Sequence, residues 1–337
     1  MHTILGAGSV GLVLGAQLAR SGVPTRLVTR RREAAERLAS EGVRIQDAAS
    51  GEVWSAKLEA TAGPNAAIGD GPVWVCVRGP DTEDAARALA AVAPRATVVS
   101  VQNHVDNESI LARHFEHVVG AVWRQPCTRT GVGEAMLLGR TRMVLGGWPR
   151  GAGPEVEALA EVLRRAGIEV GVSQRIEEDL WLKLCVNLMS APNALVRRPD
   201  HTTRTFVELK ARLLEEARAI LDAEGVRTGS CDGRDRSLDE EIQHVRASLA
   251  RGTSARPLPV YNHVWTGLRP AVGSADGRKP PVEADALHRR ILALAARHGV
   301  EAPVNARVLA ALEDAWRSDR GPECVGAAEL LGADPAA

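Results

Sequence analysis

Apolar and polar positions alternate in two different rhythms along this chain, and the rhythm changes once. In the first half, short apolar runs alternate with stretches of helical period, the pattern of a parallel α/β sheet. Thr3-Ile4-Leu5 predicts a strand, and Val10 to Arg20 a helix with Val10, Leu14 and Leu18 on one face. Arg26–Thr29 predicts the second strand and Arg31–Ser40 the second helix. Val73–Val77 has the continuous apolar character of a buried central strand. A helix over Asp81–Val92 and strands over Thr97–Val101 and His117–Val122 follow, then an antiparallel strand over Arg142–Leu145. A helix over Pro154–Ala166 and a strand over Gly167–Val170 close the alternation.

Beyond about residue 175 only helical patterns remain, at Glu177–Ser190, Phe206–Ala223, Leu238–Leu249 and Ala284–His298. A Gly- and Pro-rich stretch, Arg269–Pro281, predicts a loop. The fold class is therefore α/β: an N-terminal Rossmann domain over 1–174, a helical domain over 175–318 and a frayed tail over 319–337. The 337 residues suffice for two such domains.

Gly6-Ala7-Gly8-Ser9-Val10-Gly11 is G-x-G-x-x-G. Alone the pattern is weak, but here it follows a strand and opens a helix, the context a dinucleotide needs. The first glycine permits the tight turn, the second admits the pyrophosphate, and the third lets helix pack on strand. The second strand ends in Thr29-Arg30-Arg31-Arg32, where an NAD site would carry an acid. Guanidinium forks suit a 2′-phosphate instead. The expected cofactor is NADPH/NADP+, with Arg30 as main phosphate ligand and Arg31 or Arg32 assisting.

Composition changes this picture little. Lys plus Arg equals Asp plus Glu at 42 each, so nothing points to nucleic acid or an anionic membrane as partner. No apolar run approaches the ~20 residues of a membrane span, and the first residues lack a secretory pattern. Five scattered cysteines form no C-x-x-C pair, so no metal site is expected and reduced thiols in a cytoplasmic enzyme are. A homodimer is left open.

A Rossmann fold does not by itself give a reaction. Further landmarks do: Val75-Cys76-Val77-Arg78; Ser100-Val101-Gln102-Asn103; Trp181-Leu182-Lys183 through Asn187, then Pro192; and Glu283-Ala284-Asp285 opening a late helix. In this order and spacing, over about residues 2–316, the chain resembles the ketopantoate reductase family. The resemblance implies a helical domain like that of 6-phosphogluconate dehydrogenase, a site in the cleft between domains, and NADPH reduction of a small-molecule 2-oxo acid or related carbonyl. It implies Lys183 as general acid, Asn187 one helical turn on as substrate ligand, Asn103 beside the nicotinamide, and Glu283 as the family's late glutamate. Arg78 stands where many relatives carry a lysine near the cofactor.

Departures cluster on one role. Ala191 replaces a second asparagine, with Asn193 nearby but out of register, and Asn262-His263 replace a serine. His104 stands where a glycine usually follows the Q-N pair. The substrate-binding set expected here is Asn187, Asn193, Asn262 and His263, so the hydride machinery is retained while the pocket has changed. A competing class is a non-enzymatic NADPH-binding sensor on the same fold. A third uses the same residues on an imine or an alcohol. Retention of Lys183, Asn187 and Asn103 argues against the sensor, which has no need of a proton donor.

Overall fold

The computed structural model describes residues 1–65, 68, 71–139, 142–248, 262–268 and 282–333, the side chains of 262, 263 and 266 excepted. It divides into two compact units, Met1–Leu180 and Trp181–Ala337.

The first unit holds twelve strands among its described residues: β1 (His2–Leu5), β2 (Thr25–Thr29), β3 (Val43–Asp47), β4 (Val53–Ala56), β5 (Glu59–Ala62), β6 (Val73–Val75), β7 (Val98–Ser100), β8 (Val118–Trp123), β9 (Cys127–Gly131), β10 (Glu134–Leu137), β11 (Arg142–Gly147) and β12 (Glu169–Val172). Its helices are α1 (Ser9–Arg20), α2 (Arg32–Glu41), α3 (Thr82–Ala90), α4 (Asn107–Leu111) and α5 (Pro154–Arg165). Eight strands form the main sheet in the order β12-β11-β8-β7-β6-β1-β2-β5. From β5 to β8 all neighbours are parallel, which is the Rossmann order. Strand β11 pairs antiparallel with β8, as the sequence pattern predicts for Arg142–Leu145.

Both faces of this sheet are buried, and successive side chains feed two cores. Ile4, Leu27, Trp74 and Val99 join one. Their neighbours Leu5, Val28, Val73, Val75 and Val98 join the other. Helix α1 lies on the first face and α3 on the second, so the chain changes sides between the adjacent strands β1 and β6.

A second sheet, β4-β3-β10-β9, was not apparent from the sequence pattern. It covers α1 on its far side, so every residue from Gly11 to Leu18 is buried. The buried polar side chain within that run, Gln17, pairs with the equally buried Gln125. Strand β3 does carry a two-residue alternation of buried and exposed positions. Strands β5 and β9 are short, half-exposed and rich in Thr and Ala or Gly, which hides them from an apolar-run criterion.

The division at Leu180 lies inside helix α6 (Ile176–Leu188), beyond the boundary at 174/175 that periodicity suggests. The reason is a pair of glycines facing each other across β8 and β11, Gly120 and Gly146. A Cβ on Gly146 would come within 2.7 Å of the Ile176 Cβ, and one on Gly120 within 2.9 Å of Ile176 Cγ1. Without those side chains, the first turn of α6 packs directly onto the sheet and belongs to it.

The second unit continues α6 and adds α7 (Ser190–Leu195), α8 (Arg204–Glu224), α9 (Leu238–Arg246), α10 (Asn262–Leu268), α11 (Ala284–His298), α12 (Pro303–Arg317) and α13 (Ala327–Leu331). Helix α8 is the spine, touched by α9, α11, α12 and α13. It starts on Thr203, whose hydroxyl accepts from Phe206 N, and stops at Gly225 in left-handed conformation. The tail over 319–337 was expected to fray; its described part, to residue 333, does not. Val325, Ala327 and Leu330 are each at most 2% exposed, Val325 bridges Val196, and Arg307 donates to the carbonyls of Leu330 and Leu331. The predicted loop Arg269–Pro281 lies outside the described residues.

Among the described residues, no helix is long and apolar enough to cross a membrane. None of them form a His, Cys, Asp and Glu group placed to hold a metal ion.

Candidate active site

The carboxyl ends of parallel strands share one edge of a sheet, and the change of sides between β1 and β6 opens a crevice there. Four of the predicted elements follow strands to this edge: the glycine loop after β1, Arg30 after β2, Arg78 after β6 and Asn103 after β7.

The glycine loop has the geometry of a phosphate cradle. Gly6 adopts φ +116°, and a Cβ there would lie 2.9 Å from the Cys76 carbonyl. A Cβ on Gly11 would overlap the Gly6 carbonyl oxygen outright. Gly8 caps α1 without a side-chain hydrogen bond, and the first turn carries no acid. The N–H groups and positive dipole end of α1, at Ser9 and Val10, thus face the loop formed by Gly6, Ala7 and Gly8. Arg30 is exposed and approaches Asp81 at 3.8 Å, and Arg78 lies 3.3 Å from the same carboxylate. Arg31 caps α2 and exchanges hydrogen bonds with the Thr29 hydroxyl through its backbone.

Asn103 is exposed at the end of β7, and its loop is tied down from beneath. Gln102 Nε2 donates to Val77 O and to Thr82 Oγ1, each at 2.8 Å. Thr82 donates to Asn107 Oδ1, and Asn107 Nδ2 donates to His104 O. This buried relay joins the loops after β6 and β7. His104 Nδ1 accepts from Asp106 N at 3.3 Å, so it shapes the same turn.

Glu108, on α4, is a residue the sequence pattern did not single out. It is fully buried, and neither carboxyl oxygen has a hydrogen-bond partner. Burial pushes its pKa up to about 7, with the nearby Ser100 hydroxyl acting in the opposite direction. The folded state therefore holds a proton there that the unfolded state releases above its ordinary pKa of 4.5. Stability from this group is full below 4.5 and declines as pH rises to about 7, by roughly 3 kcal/mol. Glu108→Gln should abolish that decline. Urea midpoints of both proteins at pH 5 and pH 8 check it; the idea fails if their difference is the same at both.

In the second unit, Lys183 and Asn187 share one face of α6 at i, i+4. Trp181, Leu182, Leu184 and Cys185 around them are at most 4% exposed, and Lys183 itself is half-buried. The chain has only four lysines among its 42 Lys plus Arg residues. An ammonium, unlike a guanidinium, readily gives up a proton.

Helix α11 approaches α6. The Arg290 guanidinium lies 5.6 Å from the Trp181 ring centroid, and the Leu188 carbonyl faces the His288 ring. Glu283 precedes α11 as its cap residue, half-buried and without a side-chain capping bond. His288 is fully buried with its pKa lowered to about 4, first by desolvation. Asn305 Nδ2 is committed to Leu213 O and Glu216. The Asn305 oxygen must therefore accept, which puts the proton on His288 Nδ1, 3.1 Å away.

Asn193 does not fit its expected substrate role. It is 5% exposed, and its Nδ2 donates to Met189 O at 2.7 Å, one turn back. Its amide completes the break between α6 and α7. Ala191 is fully enclosed. Asn262 and His263 open α10, but their side chains lie outside the described residues.

Known proteins share this fold. Residues 2–150 match the family model described as ketopantoate reductase PanE/ApbA, and 175–315 match its C-terminal counterpart. A 2-dehydropantoate 2-reductase of Archaeoglobus fulgidus is 30% identical over 252 residues, covering 75% of this chain and 81% of the relative. A PanE/ApbA family ketopantoate reductase from Ralstonia eutropha superposes with a TM-score of 0.75 at 24% identity, over 95% of this chain and 100% of the other. D-mandelate dehydrogenase, solved with NADH and anilino(oxo)acetate, shares the fold with a TM-score of 0.77 at 18% identity, over 95% and 100% of the two chains.

Proposed function

Because the chain belongs to the ketopantoate reductase family, we propose that it reduces a 2-oxo acid or a related ketone with Lys183 as the proton donor. It is an oxidoreductase of a family that uses NADPH. The observation that carries the finer reading is the Lys183–Asn187 face of α6, held among buried apolar side chains.

The residues present fit the cofactor: Gly6 and Gly11 permit the tight turn and the close helix packing, while Gly8, with no atom nearer than 4.0 Å to where its Cβ would lie, leaves its backbone open to a phosphate. NADPH, when bound, supplies the hydride. Gly6 to Gly11 and the first turn of α1 hold its pyrophosphate, and Arg30 with Arg78 holds the 2′-phosphate. Asn103 orients the nicotinamide end. As negative charge develops on the substrate oxygen, the Lys183 ammonium donates to it, and Asn187 keeps the substrate in line. Glu283, half-buried at the start of α11, would accept hydrogen bonds from a substrate hydroxyl or from the lysine ammonium.

Full-length protein tested for NADPH consumption against a panel of 2-oxo acids, ketopantoate included, decides the activity. We expect ketopantoate to be a poor member of that panel, because Ala191 offers no donor and is enclosed. A site lacking a donor for a substrate hydroxyl loses its discrimination for it. A ketopantoate kcat/KM above ~10⁴ M⁻¹s⁻¹ would overturn this expectation. Binding of NADPH with turnover of no carbonyl compound would favour a sensor instead.

A further inference from the structure

The sequence places arginine, not an acid, after β2, yet the fold brings an acid to that place. Asp81 ends the 3-10 turn Gly79–Asp81 between β6 and α3. Its Oδ2 stands 3.8 Å from Arg30 Nη1 and 3.3 Å from both Nε and Nη2 of Arg78. Strands β2 and β6 flank β1. The two guanidiniums therefore arrive from either side of the glycine loop and meet on one carboxylate oxygen.

We propose that Asp81 sets the balance between NADPH and NADH at this site. The inference rests on the cofactor reading of the glycine loop, Arg30 and Arg78. Asp81 has no competing structural duty at the start of α3, where its side chain makes no capping bond. A 2′-phosphate needs the Arg78 protons that Asp81 accepts and the Arg30 charge that Asp81 offsets, and it meets a like charge at the same point. A ribose 2′-hydroxyl has the opposite experience: it can donate to the carboxylate, as it does to the acid that ends the second strand in NAD-specific Rossmann domains. Asp81 therefore weakens NADPH, supports NADH, and narrows the gap that the arginines alone would impose.

Cofactor fluorescence titrations on the full-length protein test this at low salt. Asp81→Asn should tighten NADPH and weaken NADH, each on the order of fivefold, for one charge removed beside a phosphate at a solvated surface. The preference ratio then shifts by more than tenfold, and 0.5 M salt shrinks the NADPH part to about twofold or less. Asp81→Glu keeps the charge and should keep the wild-type order of affinities. Dissociation constants that move together, or not at all, in Asp81→Asn overturn the proposal. Unaltered protein that binds neither cofactor overturns the cofactor reading itself, a result read before any variant is made.

Discussion

Lys183→Ala is expected to lower turnover by ~10²–10⁴-fold, the range for a lost general acid, while NADPH still binds. The binding half of this expectation follows from placement: Lys183 is on α6, and the phosphate cradle is built from β1, β2, β6 and α1. Lys183→Arg separates two ways in which a cation can help. Arginine keeps the positive charge but holds its protons at any ordinary pH. If proton donation is the role, the arginine variant stays nearly as impaired as the alanine one. If the charge alone stabilises the developing oxyanion, arginine recovers most of the activity and the general-acid assignment falls. Single-turnover rates with saturating NADPH make the comparison on the chemical step, and near-normal turnover in Lys183→Ala would remove this residue from the mechanism.

Gly11→Ala should produce the second large loss, this time in cofactor affinity. The added methyl overlaps the Gly6 carbonyl and comes within 3.2 Å of Ile4 Cγ2. Gly6 cannot yield easily, because its positive φ sits against the Cys76 backbone. The end of α1 must then move away from the loop at about 1–3 kcal/mol of overpacking, which taken from binding is roughly a 5- to 150-fold loss of affinity. Gly15→Ala is the matched control: its Cβ would meet Ile4 Cγ1 at 3.4 Å, an ordinary contact. Wild-type NADPH affinity in Gly11→Ala, measured by fluorescence beside thermal midpoints, would show that close approach at this glycine is unnecessary.

The parts of this molecule visible in its sequence are those where one local pattern suffices. Buried parallel strands carry short apolar runs, so β1, β2, β6, β7 and β8 stand out, and the glycine loop announces itself by spacing. Strands β9 and β10 carry no such mark, because their burial depends on pairing β10 with β3, some ninety residues away. The glycine pair that seats Ile176 is equally non-local, since Gly120 and Gly146 become neighbours only once β8 and β11 pair. Helix α12, starting at Pro303 with Glu216 accepting from the N–H groups of Val304 and Asn305, is capped from a distant helix. The site divides in the same way. Lys183 and Asn187 are legible as an i, i+4 pair on one helix, and Arg30 as the end of a strand. Asp81 is out of reach because one of its two partners, Arg30, is on another loop, and the Asn193 amide is spent on the Met189 carbonyl one turn back.

Helix α1 is covered on one side by the main sheet and on the other by the smaller one. Most helices at the surface of a domain can tilt or fray at their first turn, and a ligand that uses that turn must arrest the motion when it binds. Here the body of the helix is held beforehand: Leu12, Val13, Leu14 and Ala16 are all fully enclosed, with Ser9 and Val10 half-buried. The ordering entropy of this element is spent in folding rather than in association. If the loop takes a diphosphate as proposed, more of the contact energy remains as affinity.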